Sequence, residues 1–419
     1  MSHRYNTRSK ADRLNTLTSF KKSYKRPLYQ LIHSTRRIKS FLRKYDLNTI
    51  CSDSNECIAL GVAIHRIKAL FDHFNPSLST EQRLLNDSYS NGTVSLLTFR
   101  KKGYVANAVL KKSKREAADN LFYEGVVGNF INKKRLQFPC FVETYGIYLG
   151  TDKVEIDEEN LLESCNNPLE VSIVIENIKG AKSIDFLRTY ASIGSFMTHE
   201  MLYVLYQVYA PLSILCNDFT HYDLHEGNII LYEPVRGKCI TYHYHYDQHT
   251  VSFHSRYIVR IIDYGRCFFK DDTINSADIY DTLCAIGGPD CEDCGDTKGF
   301  AWLEKSTGKD LRDNFFISAQ ERNMSHDLIL LDRLKRYTGI DPIVDRILDS
   351  VYYEDEFGTP ENVTMSDDAI YNVNGAKEHL EKAIAANKHL NDTYDGIKLG
   401  DMHIYCDEVR PIEYIPYTR

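Results

Sequence analysis

The pattern of apolar and polar positions changes character several times along the chain. Residues 1–26 are polar and basic and show no hydrophobic period. From Pro27 an apolar stripe runs through Leu28, Leu31, Ile32, Ile38, Phe41 and Leu42, interleaved with Arg36, Arg37, Lys39 and Arg43, which predicts a basic amphipathic helix. A second helical pattern spans 59–74 and stops at Asn75-Pro76. The period then shortens to two: 94–99 and 104–111 flank the turn-forming Lys101-Lys102-Gly103 and predict a hairpin. Residues 114–133 return to helical spacing, with Leu121, Phe122, Val126, Val127, Phe130 and Ile131 on one stripe. Strands are predicted over 141–149 and 171–175, separated by an acidic loop around Asp157, Glu158 and Glu159. After Gly180 the pattern predicts helices near 183–190, 197–216, 327–337 and 376–390. A strand-rich first part and a helix-rich second part predict an α+β chain in two lobes with a cleft between them.

At 419 residues the chain is long for one ordinary domain, and its 43% hydrophobic content is enough for sizeable cores, which excludes wholesale disorder. No apolar run approaches the roughly 18 residues a membrane helix needs, and no apolar segment of a secretory signal follows Met1. The net charge of −7 is split unevenly. Residues 1–48 carry +11 and residues 49–419 carry −18. An acidic body argues against a globular nucleic-acid binder. The basic head reads either as a solvated tail or as a docking segment for an acidic partner, nucleic acid or an anionic membrane surface. Eleven scattered cysteines without an export signal point to reduced thiols and an intracellular setting. Only Cys291 and Cys294 have metal-ligand spacing, and their turn-rich surroundings favour a polar loop. His243, His245 and His249 alternate with tyrosines, as in a strand with one aromatic and one imidazole face.

The candidate chemistry lies in His221-Tyr222-Asp223-Leu224-His225-Glu226-Gly227-Asn228, a polar loop followed by the apolar Ile229-Ile230-Leu231. Further on, Arg260-Ile261-Ile262-Asp263-Tyr264-Gly265 reads as a buried strand ending in a carboxylate and a glycine. Asp223, Asn228 and Asp263 together could hold Mg²⁺ with hard oxygen ligands while one of the two carboxylates accepts a hydroxyl proton. That combination suits phosphoryl transfer, in which positioning and charge neutralisation dominate.

These two strings resemble the H-R-D-x-x-x-x-N and D-F-G motifs of protein kinases. The resemblance covers roughly residues 85–340 and is closest to the divergent serine/threonine kinases of large DNA viruses, which would set the protein in a host cytoplasm or virion. It implies a bilobed protein-kinase-like fold with a small β-rich N-lobe over 49–178, after a helical extension, and a larger, mainly helical C-lobe over 179–419. It implies ATP and Mg²⁺ (or Mn²⁺) as cofactors and a protein as substrate. Asp223 would be the catalytic base, His221 a brace for the loop, and Asn228 and Asp263 the metal ligands. Ala108-Val109-Leu110-Lys111 resembles V-A-I-K, so Lys111 would hold phosphates and Val109 line the adenine pocket. Glu124, on the edge of the helix stripe, is the better-spaced partner for Lys111 than Glu116. Gly92 and Val94 match the end of a glycine-rich loop whose other two glycines are missing. Glu176 and Ile178 fall in a hinge-like Val174–Ile178 string whose backbone would pair with adenine. Asp327 resembles the aspartate that supports the catalytic loop through backbone hydrogen bonds.

Departures keep other readings open. His225 stands where serine/threonine kinases typically carry lysine; as a catalytic residue its imidazole would contact the γ-phosphate as a donor. The D-L-H-x-G-N form is also similar to aminoglycoside and choline kinases and to the haspin-like protein kinases. An A-P-E motif is missing, and 233–256 reads as an inserted hairpin. A small-molecule phosphotransferase and a pseudokinase scaffold therefore stand beside the protein-kinase reading.

Overall fold

The computed structural model describes residues 49–51, 57–61, 63–86, 92–101, 104–113, 118–150, 152–154, 171–178, 182–184, 196, 200–272, 274–275, 301–303, 316–318, 322–334, 372–388 and 396–417. The basic helix predicted within 27–43, the acidic loop, most of the helix near 183–190 and the Cys291/Cys294 loop lie outside them.

A short hairpin, β1 (Thr49–Cys51) and β2 (Cys57–Ala59), leads into helix α1 (Ala63–Leu70). The helix predicted across 59–74 is interrupted. Asp72, His73 and Phe74 adopt positive φ, a conformation no helix continues through, and the segment finishes in single 3-10 turns. Phe71 and Phe74 are nevertheless buried.

The next elements build a six-stranded antiparallel sheet: β3 (Glu81–Asn86), β4 (Gly92–Lys101), β5 (Tyr104–Ser113), β6 (Thr144–Leu149), β7 (Asp152–Val154) and β8 (Val171–Glu176), in the order β3-β4-β5-β8-β6-β7. One face buries Leu97, Phe99, Ala108, Leu110 and Val174 against Leu70, Phe71 and Phe74. Helix α2 (Ala118–Lys134), joining β5 to β6, packs on the other face through the predicted stripe, all of it buried. Two glycines permit the close approach. A Cβ at Gly125 would lie 2.5 Å from the Ile147 side chain, and one at Gly128 would lie 2.1 Å from Thr144 Oγ1.

The rest of the chain runs through β9 (Lys182–Ser183), helix α3 (Met201–Ile214), β10 (Phe219–Thr220), β11 (Ile229–Tyr232), β12 (Lys238–His245), β13 (Thr250–Ser255), β14 (Ile258–Ile261), β15 (Phe268–Phe269), β16 (Ala301–Leu303) and β17 (Phe316–Ser318), then helices α4 (Ile329–Leu334) and α5 (Val373–Ala386) and strands β18 (Ile397–Tyr405) and β19 (Glu413–Pro416). The fold is α+β, and strands predominate. A mainly helical second part was expected. Among its described residues strands outweigh helices instead, because the inserted hairpin β12–β13 recruits the C-terminal segment. Strand β18 pairs parallel to β12, and β19 completes a sheet of order β13-β12-β18-β19. The Tyr/His alternation sets its faces. Tyr242 and Tyr244 are fully buried, with Tyr244 edge-on to Tyr206 of α3, while His243 and His245 lie on the half-exposed side.

No helix among the described residues is long and apolar enough to cross a membrane.

Candidate functional site

Helix α3 is buried over residues 201–212 and forms a rigid post that delivers the polar loop. The loop enters through β10 and leaves through the short helical turn Glu226–Asn228 into β11, which pairs with β14. That pairing brings the loop beside the segment that ends in Asp263.

Within the loop each hydrogen bond fixes a functional group. The buried carboxylate of Asp327 accepts the backbone N–H of His221 at 2.8 Å and of Tyr222 at 3.0 Å. His221 Nε2 donates to the Ile262 carbonyl at 3.0 Å, so its Nδ1 is left to accept the Asp223 N–H at 3.3 Å. One tautomer thus braces the loop from both ring nitrogens. Burial lowers the pKa of His221, favouring the neutral ring this arrangement needs. Asn228 Nδ2 donates to the Asp223 carbonyl at 2.8 Å, which commits the amide nitrogen, so that Oδ1 is the end that could hold a cation. Tyr222 and Asp263 both adopt left-handed φ, 61° and 71°. Such conformations cost about 1–3 kcal/mol each and gather where function requires a particular direction.

From the sheet side, Lys111 lies opposite Val94 on β4, and Val109 lies opposite Leu96, so all four side chains share one face. Lys111 Nζ sits 2.6 Å from Glu124 Oε1 on α2 and 3.5 Å from Asp263 Oδ1. Three distant segments therefore converge on one ammonium. Burial raises the Glu124 pKa, and Lys111 works against that rise. Tyr264 pins the Asp263 segment: its hydroxyl donates to the Ile261 carbonyl at 2.7 Å and accepts the Val142 N–H at 2.9 Å. Tyr123 of α2 donates to the Cys267 carbonyl at 2.6 Å, tying the helix to the same turn.

Gly92 opens β4 where a Cβ would collide with the Lys112 carbonyl; the preceding residues 87–91 are outside the described set. Glu176 turns its side chain away from the Lys111 face into a buried ion cluster. Its carboxylate meets Arg135 Nη2 at 3.0 Å and also pairs with Arg260, and its N–H donates to the Glu143 carbonyl at 2.8 Å. Burial opposes the charged carboxylate, but the two guanidiniums outweigh it and hold the Glu176 pKa below its usual range. Ile178 packs partly buried on the main core. Beside this segment a cavity of about 270 Å³ opens on the Lys111 face of the sheet, lined by Arg83, Leu96, Thr98, Asn107 and Asn177.

No protein-family model matches the chain, and no curated protein matches its sequence significantly. The site has to be read from its own geometry.

Asp223 is flanked by two basic side chains, the imidazole of His225 at 3.7 Å and the guanidinium of Arg266 at 3.6 Å. Arg266 was not expected from the sequence; its only signal is a basic residue directly after Gly265. The Arg135–Glu176–Arg260 cluster was also missed, since charged residues ordinarily read as surface. Among the described residues, no group of three or more His, Cys, Asp or Glu side chains is arranged to hold a metal ion. Asp263 and Asn228 would be two protein ligands, a number that suits a cation bound mainly through substrate phosphates.

Proposed function

We propose that the protein is an ATP- and Mg²⁺-dependent serine/threonine protein kinase with a bilobed kinase-like fold. The observation that carries this reading is Lys111, held 2.6 Å from Glu124 and 3.5 Å from Asp263 by three separate segments. A lysine oriented by a buried glutamate and aimed at a metal-binding carboxylate is the arrangement that holds nucleotide phosphates for transfer.

In this reading the six-stranded sheet and α2 form the small lobe, and the remainder forms the large one. The nucleobase enters the cavity beside Asn177, against Val109 and the backbone of Glu176 and Ile178. Gly92 and Val94 lie over the phosphates. Mg²⁺ (or Mn²⁺) fits the donor chemistry of Asp263 and Asn228, both hard oxygen ligands. When bound, the cation neutralises charge on the phosphate oxygens. Asp223 accepts the proton of the acceptor hydroxyl. Asp327 and His221 hold that carboxylate's backbone, so the base is positioned before substrate arrives. The stretch of 63 residues between Asp263 and Asp327 resembles the activation-type segment of protein kinases in its length and position, which favours a protein acceptor over a small metabolite.

The test is γ-labelled ATP with Mg²⁺, offered in parallel to basic proteins, acidic proteins and small aminoglycoside or choline-like acceptors. Label on protein serine or threonine supports the proposal, and label on a small acceptor replaces it with the small-molecule reading. Nucleotide binding without transfer to any acceptor would leave a scaffold.

A further inference from the structure

Among the described residues, basic side chains other than Lys111 pair with Asp223. Lys111 is committed deeper in the cleft, with its side chain 12% exposed. Two other groups approach the same oxygen, Asp223 Oδ1. His225 Nε2 lies 3.7 Å away, and Arg266 Nη1 lies 3.6 Å away. His225 belongs to the polar loop and Arg266 to the turn after Asp263, so the two reach the carboxylate from different segments. Both side chains are 31% exposed, so a ligand arriving from solvent can reach them. His225 Nδ1 accepts the Gly227 N–H at 3.0 Å, which puts the ring proton of the neutral form on Nε2, facing Asp223. The imidazole carries positive charge only when protonated, whereas the guanidinium is always charged.

Resting on the phosphotransferase reading, we propose that Arg266 is a catalytic residue whose guanidinium contacts the transferred phosphoryl group. It would supply the permanent charge that a lysine at position 225 would otherwise bring. In the transfer, the acceptor oxygen forms a bond to the γ-phosphorus as the bond to the β,γ-bridging oxygen breaks. The electron pair leaves with ADP, and the hydroxyl proton passes to Asp223. The phosphorus is one bond beyond the oxygen that Asp223 touches, so a guanidinium at Asp223 Oδ1 is within reach of the phosphoryl oxygens. Charge in that transition state is spread over three equatorial oxygens, and a planar fork of N–H donors matches such a group better than a point charge. His225 then contributes a second donor rather than the essential cation.

The test uses the full chain and an acceptor that the unaltered protein phosphorylates. Arg266→Gln is expected to lower kcat at least about 30-fold, below the range for arginines acting on transferred phosphoryl groups in GTPases. ADP binding, measured by calorimetry, should stay within about threefold. Binding of ADP with aluminium fluoride, a mimic of the transferring phosphoryl, should weaken at least about tenfold. Charge restored nearby should recover activity: His225→Lys in the Arg266→Gln background, or millimolar guanidinium added to Arg266→Ala, should each raise kcat about tenfold. A smaller kcat loss, equal weakening of ADP and its fluoride complex, or failure of both rescues would overturn the proposal. Any of these with an active unaltered protein leaves the kinase reading standing, whereas an unaltered protein that transfers to nothing removes both.

Discussion

Replacing Lys111 by Met keeps most of the side-chain stem and removes the ammonium that neutralises Glu124. The Glu124 side chain is only 9% exposed and would be left with its charge uncompensated. The carboxyl can respond by taking up a proton. Its usual pKa is 4.5, so holding it neutral at pH 7.5 costs at most about 4 kcal/mol, at 1.36 kcal/mol per unit. Relief of the ammonium's own desolvation offsets part of this, leaving an expected loss of about 3 kcal/mol, at the low end for breaking a buried pair. The loss has a definite pH signature. Without Lys111 the folded-state pKa of Glu124 lies further above its unfolded value. The destabilisation is therefore largest at neutral pH and disappears as pH falls toward about 4.5. Urea denaturation followed by circular dichroism between pH 4.5 and 8 measures it. The double variant Lys111→Met, Glu124→Gln should be more stable than Lys111→Met alone at pH 7.5. A loss that is independent of pH, or a double variant no better than the single, would refute the reasoning. Lys112 points to the other face of β5, and Lys112→Met should lack this pH signature.

Glu176→Gln would leave Arg135 and Arg260 buried without their carboxylate and should cost about 3–5 kcal/mol in denaturant unfolding; a loss below about 1 kcal/mol would mean the cluster is not holding α2, β8 and β14 together. Burial pushes Asp327 up to about 7 from 3.8, so its contribution to stability is complete below about pH 4 and is lost as pH rises through about 7, a change of about 4 kcal/mol. Asp327→Asn should flatten that slope while reducing phosphotransfer through its single remaining acceptor oxygen, and an unchanged slope would assign the dependence to other groups. His245 Nε2 and His403 Nδ1 lie 2.9 Å apart; burial is the main cause that lowers both pKa values, helped by His403 and His243 at His245, by His243 at His403 and by Arg410 at both, while Glu413 opposes it at both rings and Asp401 at His403. Stability from this pair is present above about pH 6.5 and fades below it, so protection factors of amides in β12 and β18, corrected for the intrinsic exchange rate at each pH, should fall in mild acid and do so less in His403→Phe.

Elements whose pattern is local could be read directly from the chain. The β4–β5 hairpin follows a clean period of two around Lys101-Lys102-Gly103. The α2 stripe fixes a helix face, and with it the edge from which Glu124 meets Lys111. The loop at His221–Asn228 was legible because its polar residues interrupt two apolar elements. What escaped depends on tertiary partners. Met402, Ile404 and Cys406 alternate as a strand should, but β18 pairs with a segment some 160 residues earlier, which nothing near it announces. Arg135, Glu176 and Arg260 are fully or nearly fully buried only because they meet one another, a condition that no local pattern expresses. The break after Leu70 is equally obscure, since Asp72, His73 and Phe74 take positive φ without a glycine among them.

The central claim is that Asp223, Asn228, Asp263 and Lys111 form one phosphotransfer site. The most direct measurement is transfer of label from γ-labelled ATP to a protein acceptor, run beside ATP-binding calorimetry, for the unaltered chain and for Asp223→Asn. The account predicts nucleotide binding in both and transfer only in the unaltered chain. Undiminished transfer by Asp223→Asn would contradict it.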